Sequence, residues 1–439
     1  MSHLTNIMRK ELKEMLTPGS VISVLIMVVL LAGMGGMMGH EVEKASVLPS
    51  FGYVGPTDDG DYLEWNAYYQ LKEMYGDEAA SKIIPMDSNY GDLDAIVAEM
   101  RDKDIDAVIG IPDTLYDDLR LHKQVSVMQY YVYEPIGLFG SAPSTIITTV
   151  VDMLNSSLSR VMIAQEPSAD YDFMTSPLIT GSNDISTVVK GTAYQGVTPY
   201  AIANEVTSQT MMIPVVIMII IMMVGSIVIS SMGSEKENKT LETLLTLPVK
   251  RTTIVSGKIL ASAIVGLVYG LAYMVGMSVY TNGMTGKIET GSVNLADIGM
   301  SLSGTDWFLI MISMFLAIIC ALGICMILGA FAKNYKSAQT MTMPLSIMGL
   351  VPMFIIMFSG WYGSAAVVKA ITFAIPFSHP MMAMQALMYG DVMLVLSGIA
   401  YMAVFALATI IVTVWLYRSD ILITGLGQNR FVQKLTVRK

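Results

Sequence analysis

Few residues in this chain are typed and spaced to make or break a bond. Gly257-Lys258 and Gly286-Lys287 both lack the upstream glycine and trailing hydroxyl of a G-x-x-x-x-G-K-[ST] loop. Around the first pair, Thr252 and Ile259 hold those places. Such a chain lacks the loop that cradles a triphosphate, so ATP hydrolysis of that kind is not encoded here. No H-E-x-x-H, zinc-spaced Cys/His cluster or nucleophile-base signature occurs, so we expect no enzyme activity and no cofactor in this chain alone. Met34, Met37, Met38 and His40 are soft donors suited to Cu(I), as are His379, Met381, Met382 and Met384. The 38 methionines run through nearly every apolar stretch, however, where the thioether is an adaptable filler. We therefore expect no resident metal, with copper export as a lesser alternative. Asp102, Asp104 and Asp106 imitate the start of a calcium loop, but Ala107 takes the place of its obligatory glycine.

One stretch is built for docking rather than catalysis. Ser234 and Glu237 have capping-box spacing, which predicts a short helix starting just after an apolar run that ends near Met232. Glu235 and Lys239 stand at i, i+4, Leu241, Leu244 and Leu245 share a face, and Pro248 ends the pattern. A charged helix with a small apolar stripe, tied at both ends to membrane spans, can pass force from a cytosolic partner to the bilayer.

The elements that hold this stretch are read from hydropathy. The chain is 53% hydrophobic and 14% charged, against about a quarter charged in soluble domains. Apolar runs near residues 20–39, 211–232, 254–280, 307–331, 340–359 and 393–417 predict six spans. Lys and Arg cluster before the first, between the second and third, after the fourth and after the sixth. By the positive-inside rule, both termini and those two loops are cytoplasmic in a multi-pass cell-membrane protein. The expected order is an amphipathic interface helix at 1–18, a first span at 19–39, an extracytoplasmic domain at 40–209, five spans within 210–417 and a basic tail at 418–439. The 210–417 region includes the cytoplasmic loop 233–253 and an external re-entrant segment at 360–390. The cores of all six spans lack Asp, Glu, Lys, Arg and His, which disfavours an ion-coupled carrier; Asp306, Lys369, His379 and Asp391 fall at or beyond the predicted outer ends. Pro344 and Pro352 interrupt the fifth span as gate or kink candidates, and Gly266 and Gly270 are spaced for close helix contact.

Residues 40–209 hold 26 acidic and 9 basic side chains, against 10 and 17 elsewhere. Short apolar runs at 51–54, 82–85, 105–111 and 125–133 alternate with helical patterns at 62–75, 93–101, 114–121 and 144–163, which predicts an α/β domain. Residues 166–199 are expected to return irregularly to the membrane. The domain has no cysteine, since Cys320 and Cys325 both lie in the fourth predicted span, and Asn155 begins an N-x-S sequon.

Glu235, Lys236, Glu237, Thr240, Leu241, Glu242, Leu244, Leu245, Pro248 and the later Gly257-Lys258 resemble the signature of type-2 ABC exporter permeases. Residues 105–112 more faintly resemble the ectodomain of a branch with sodium-extruding and drug-exporting members. The resemblance implies a polytopic α-helical fold with six spans and an extracytoplasmic α/β domain. It further implies that 233–251 is a coupling helix docked on a separate ABC ATPase, flanked by the N-terminal helix with Lys10 and Glu11. Two ATPase copies and a second permease, identical or related, complete the expected assembly in the lipid bilayer, with no nucleic-acid partner. The alternative is a non-transporting complex that transmits force to the cell envelope.

Overall fold

The structure, a computed structural model, describes residues 50–57, 66–134, 142–165, 170–240, 293–332 and 334–418, with isolated positions between 257 and 272. They fall into two compact units, one drawn from 39–208 and 288–301, the other from 209–287 and 302–439.

In the first unit, β1 (Phe51–Val54) pairs in parallel with β2 (Ile83–Pro85) and β3 (Ala107–Gly110). Crossover helices α1 (Ala67–Ala80) and α2 (Leu93–Asp102) connect them, as a parallel pair requires. After α3 (Leu115–Arg120) and the short β4 (Val125–Ser126), β5 (Met128–Val132) adds antiparallel to β3. The helix α4 (Ala142–Gln165), α5 (Tyr171–Thr175) and β6 (Leu178–Ile179) precede β7 (Ile185–Val189) and β8 (Thr192–Gln195). The main sheet runs β2-β1-β3-β5-β7-β8, while β4 and β6 form a separate parallel pair. Both faces are covered. Phe51, Tyr53 and Ile109 pack with α1, α3 and α4, whereas Val54 and Val108 pack with Ile96 and Met100 of α2.

Three expectations change here. The run at 125–133 is two strands, because β4 leaves the main sheet to pair with β6. Within the segment expected to return irregularly, residues 170–199 are ordered elements, since they supply α5, β6, β7 and β8. Lys190 (φ 53°) and Gly191 (φ 84°) close a two-residue hairpin whose backbone twist suits the flanking strands. The chain also comes back to this unit after the expected third span: Leu295, Ile298 and Met300 are buried, and Lys190 Nζ donates to the Gly299 carbonyl at 2.8 Å. Asn155, the sequon residue, has its amide committed, donating to Leu178 O at 2.9 Å and accepting from Leu178 N at 2.7 Å. The calcium-loop imitation is a helix ending, with Asp104 (φ 55°) in the left-handed region and Ile105 N bonded to Met100 O.

Two carboxyls give this unit an acid profile. Burial pushes the Asp106 carboxyl up to about 6, with help from the charges of Glu134 and Asp104. Burial also raises Glu99, but Lys103 at 2.7 Å, Ser88 and the backbone N–H of Asp87 and Ser88 outweigh it and hold the carboxyl at about 2. Between about pH 6 and 4 the folded chain binds a proton at Asp106 that the unfolded chain does not, so stability rises as pH falls. Below about pH 4.5 the unfolded chain protonates Glu99 first, and stability falls toward pH 2. The protection of β1 and β3 amides relative to their intrinsic exchange rates, in the full-length protein, is therefore expected to be greatest near pH 4–5, roughly between the two windows. Asp106→Asn should remove the rise below pH 6 and add about 2–4 °C to the neutral-pH melting temperature.

In the second unit, α7 (Met212–Glu237), α8 (Gly304–Phe331), α10 (Thr342–Phe358) and α13 (Val392–Arg418) pack with the short α9 (Tyr335–Thr340), α11 (Ala366–Ala374) and α12 (Ser378–Met388). Just ahead of α7 runs α6 (Pro199–Thr210). Four helices among the described residues are long and apolar enough to cross a membrane: Pro199–Glu237, Gly304–Phe331, Tyr335–Phe358 and Val392–Leu416. The predicted spans at 20–39 and, save isolated positions, 254–280 lie outside the described residues.

Proline decides where these helices break. Pro214 and Pro344 each sit third in their helix and cannot donate to Thr210 or Thr340, so single residues, Met211 and Met341, separate α6 from α7 and α9 from α10. Pro344 thus divides the span near its start instead of kinking its interior, and α10 runs unbroken through Pro352. The helix α12 is buried over its whole length and packs against α7, α8, α10 and α13, as an apolar-all-round helix must. His379 is thus enclosed by packing within the unit. Its ring is 3% exposed, donates from Nε2 to Phe373 O at 3.0 Å, and is so close to Gly398 of α13 that a Cβ there would lie 2.6 Å from Nδ1. Asp306 and Asp391 act as helix caps, to Ser303 at the start of α8 and to Leu394 N in α13.

Candidate functional site

The apolar run of α7 gives way at its end to Ser234-Glu235-Lys236-Glu237. The helix does not restart at Ser234. It continues to Glu237, because the N–H groups a capping box would satisfy are already bonded within the preceding turns. Ser234 instead serves the helix end, its carbonyl accepting from Asn238 N at 2.9 Å and its hydroxyl from Asn238 Nδ2 at 3.2 Å. Lys239 then adopts φ 56°, and the Thr240 hydroxyl donates to the Glu235 carbonyl at 3.1 Å. Lys239 thus stands beyond the helix end, outside the helical i, i+4 geometry expected for it with Glu235. Glu237, Asn238, Lys239 and Thr240 are exposed.

Two side chains of the motif turn back onto their own chain. Lys236 Nζ donates to the carbonyls of Ala330 and Ala332, the latter at 2.9 Å, at the C-terminal end of α8. Glu237 Oε2 accepts from Tyr335 N at 3.0 Å, the first residue of α9. Asn334 caps α9 by accepting from Ser337 N at 2.8 Å. The charges suit the helix ends they meet, a cation at exposed carbonyls and an anion at exposed N–H groups. Gly233 makes the approach possible, since a Cβ there would lie 2.6 Å from Ala338 Cβ. Sequence reasoning missed Gly233, Asn334 and Ala338, although the Asn334–Ser337 spacing carries a capping signal and Gly233 and Ala338 are small residues of the kind that line close helix contacts.

Of the remaining expected site residues, Leu241, Glu242, Leu244, Leu245, Pro248, Lys258, Lys10 and Glu11 lie outside the described residues, as do Gly266, Gly270, Met34, Met37, Met38 and His40. Among the described residues, no group of three or more His, Cys, Asp or Glu could hold a metal ion. Met381, Met382 and Met384 are buried in α12, and Cys320 and Cys325 are buried free thiols in α8.

The profile of the ABC-2 family transporter proteins matches residues 18–415. This chain belongs to that family. The ABC-2 permease is accordingly a membrane-embedded protein of a class that serves as membrane subunit of transporters and works with an ABC ATPase, which accords with its lack of a phosphate-binding loop. No curated protein matches the permease. A crystal structure of a domain from Thermotoga maritima MSB8, described as an ABC type-2 transporter, is 19% identical to it. That likeness covers 35% of the permease and 95% of the domain, with a TM-score of 0.27.

Proposed function

We propose that this chain is the permease subunit of an exporter that moves substrate out of the cytoplasm on ATP hydrolysed by a separate subunit. Two ATPase copies, binding ATP and Mg, dock on the 233–251 loop and beside Lys10 and Glu11 of the N-terminal helix. A second permease, a copy or a relative, completes the pathway. Both termini are cytoplasmic, residues 40–209 lie outside, and the 360–390 segment is re-entrant from that side. The observation that carries the reading is the family match over 18–415, which spans the apolar helices and the charged motif that follows α7. By resemblance, the substrate is a sodium ion or a hydrophobic drug.

The test is reconstitution of the permease with a co-expressed ATPase in sealed vesicles, following ATP hydrolysis together with sodium and dye-drug flux. ATP-dependent flux is expected. Permease-stimulated hydrolysis without movement of any candidate ion, peptide, drug or lipid would favour force transmission to the envelope.

A further inference from the structure

Lys236 and Glu237 stand in the middle of the proposed contact motif, and the side chains of both bond to other elements of their own chain. Lys236 holds the Ala330 and Ala332 carbonyls, which as the last of α8 have no intrahelical donor. Glu237 holds the Tyr335 N–H, one of the first of α9, which has no intrahelical acceptor. Consecutive residues of one helix therefore hold the last residues of α8 and the first of α9. Between them the packing leaves no slack: a Cβ on Gly233 would meet Ala338 Cβ at 2.6 Å and Asn334 O at 3.0 Å, and Gly329 of α8 lies against Met232. Beyond α9 the single residue Met341 separates it from α10, where Pro344 lacks the N–H that would bond to Thr340.

We propose that Lys236 and Glu237 are positioning residues forming a fixed joint. They bind the root of the 233–253 loop to the α8–α9 turn, so that a displacement of the loop is delivered to α8 directly and to α10 through α9 and the Met341 break. The functional half rests on the ATPase-driven reading above, whereas the joint is a property of this chain alone. On this view the outward, partner-facing part of the motif begins after Glu237. Lys236 and Glu237 govern how far a push travels, and the residues beyond Glu237 supply most of the contact with the partner.

The experiment has two arms. In the first, amide exchange is followed in the full-length permease in vesicles without any ATPase, comparing wild type with Lys236→Met, Lys236→Arg and Glu237→Ala. Loss of a charge-assisted hydrogen bond is expected to speed exchange of the amides from Tyr335 to Ala338 roughly ten-fold in Lys236→Met and Glu237→Ala. Lys236→Arg, which keeps the donors, should restore protection. In the second arm the ATPase is added: binding should match wild type within about two-fold, while transport per ATP falls about ten-fold in Lys236→Met and recovers in Lys236→Arg. Wild-type exchange at 335–338 in Lys236→Met and Glu237→Ala, or loss of ATPase binding with exchange unchanged, would overturn the joint and return both residues to the contact surface. If the wild-type complex shows no ATP-driven flux, the exporter reading fails, and the first arm still decides the joint.

Discussion

Leu244→Asp is expected to leave the permease folded and inserted while cutting ATP-driven transport more than about ten-fold. By their spacing in the sequence, Leu241, Leu244 and Leu245 are expected to share one narrow apolar face of the loop that follows α7, with Leu244 in its middle. Fully burying a leucine side chain contributes about 1.5–3 kcal/mol. An aspartate adds the cost of desolvating a carboxylate with no partner. Intact insertion is expected because the substitution falls in a loop between spans and removes no residue from an apolar run. The measurement is co-purification of the ATPase with the permease, alongside flux in reconstituted vesicles. Wild-type values for both would remove this loop from the docking surface. The contrast with Lys236→Met separates two jobs within a dozen residues: Leu244→Asp should lose the ATPase, and Lys236→Met should keep it while wasting its work.

Gly225→Val should destabilise the membrane unit by about 1–3 kcal/mol, the usual cost of overpacking. A Cβ at Gly225 of α7 would lie 2.3 Å from Leu345 Cδ2 of α10 and 2.8 Å from Cys325 Sγ of α8. Both neighbours are fully buried, so neither side chain can swing into free space. Three helices must then separate, and the Cys325 thiol, sealed in the native packing, should react with a maleimide at lower temperature than in wild type. Gly225→Val with Leu345→Ala should recover part of the loss, because the second change removes the closest clashing atom. Gly304→Ala is the control: nothing stands within 4 Å of a Cβ there, and no destabilisation is expected. A thermal midpoint for Gly225→Val equal to that of wild type would mean that α7 does not approach α8 and α10 this closely.

The parts read correctly from the sequence are those whose signal is local and redundant. Twenty consecutive apolar residues admit few alternatives, so the helices now seen at Met212–Glu237, Gly304–Phe331, Thr342–Phe358 and Val392–Arg418 were visible to within a few residues, apart from the longer start and end of some. The same holds for β1, β2, β3 and α2, where short apolar runs alternate with amphipathic ones. The strands β6 to β8 were hidden because two to five residues give too little periodicity, and the Lys190-Gly191 hairpin signal was overlooked among glycines and serines that also mark loops. At Ser234 a local rule misled. Capping spacing marks a helix start only if the preceding turn is not already helical, and α7 was.

By itself the sequence determined that this is a membrane protein with an acidic α/β unit, that a charged motif follows an apolar helix, and that no ATP-binding loop is present. Each of these depends on composition or on neighbours a few residues apart. The tertiary structure alone decided that α12 is enclosed on all sides, that His379 is buried against Gly398, and that Lys236 and Glu237 grip the α8–α9 turn. Lys236 meets partners 94 and 96 residues away and Glu237 one 98 residues away, separations at which no periodicity carries information. What brings such distant groups together is the burial of whole helix faces. A lysine and a glutamate of the expected docking motif thereby also cap two other helices.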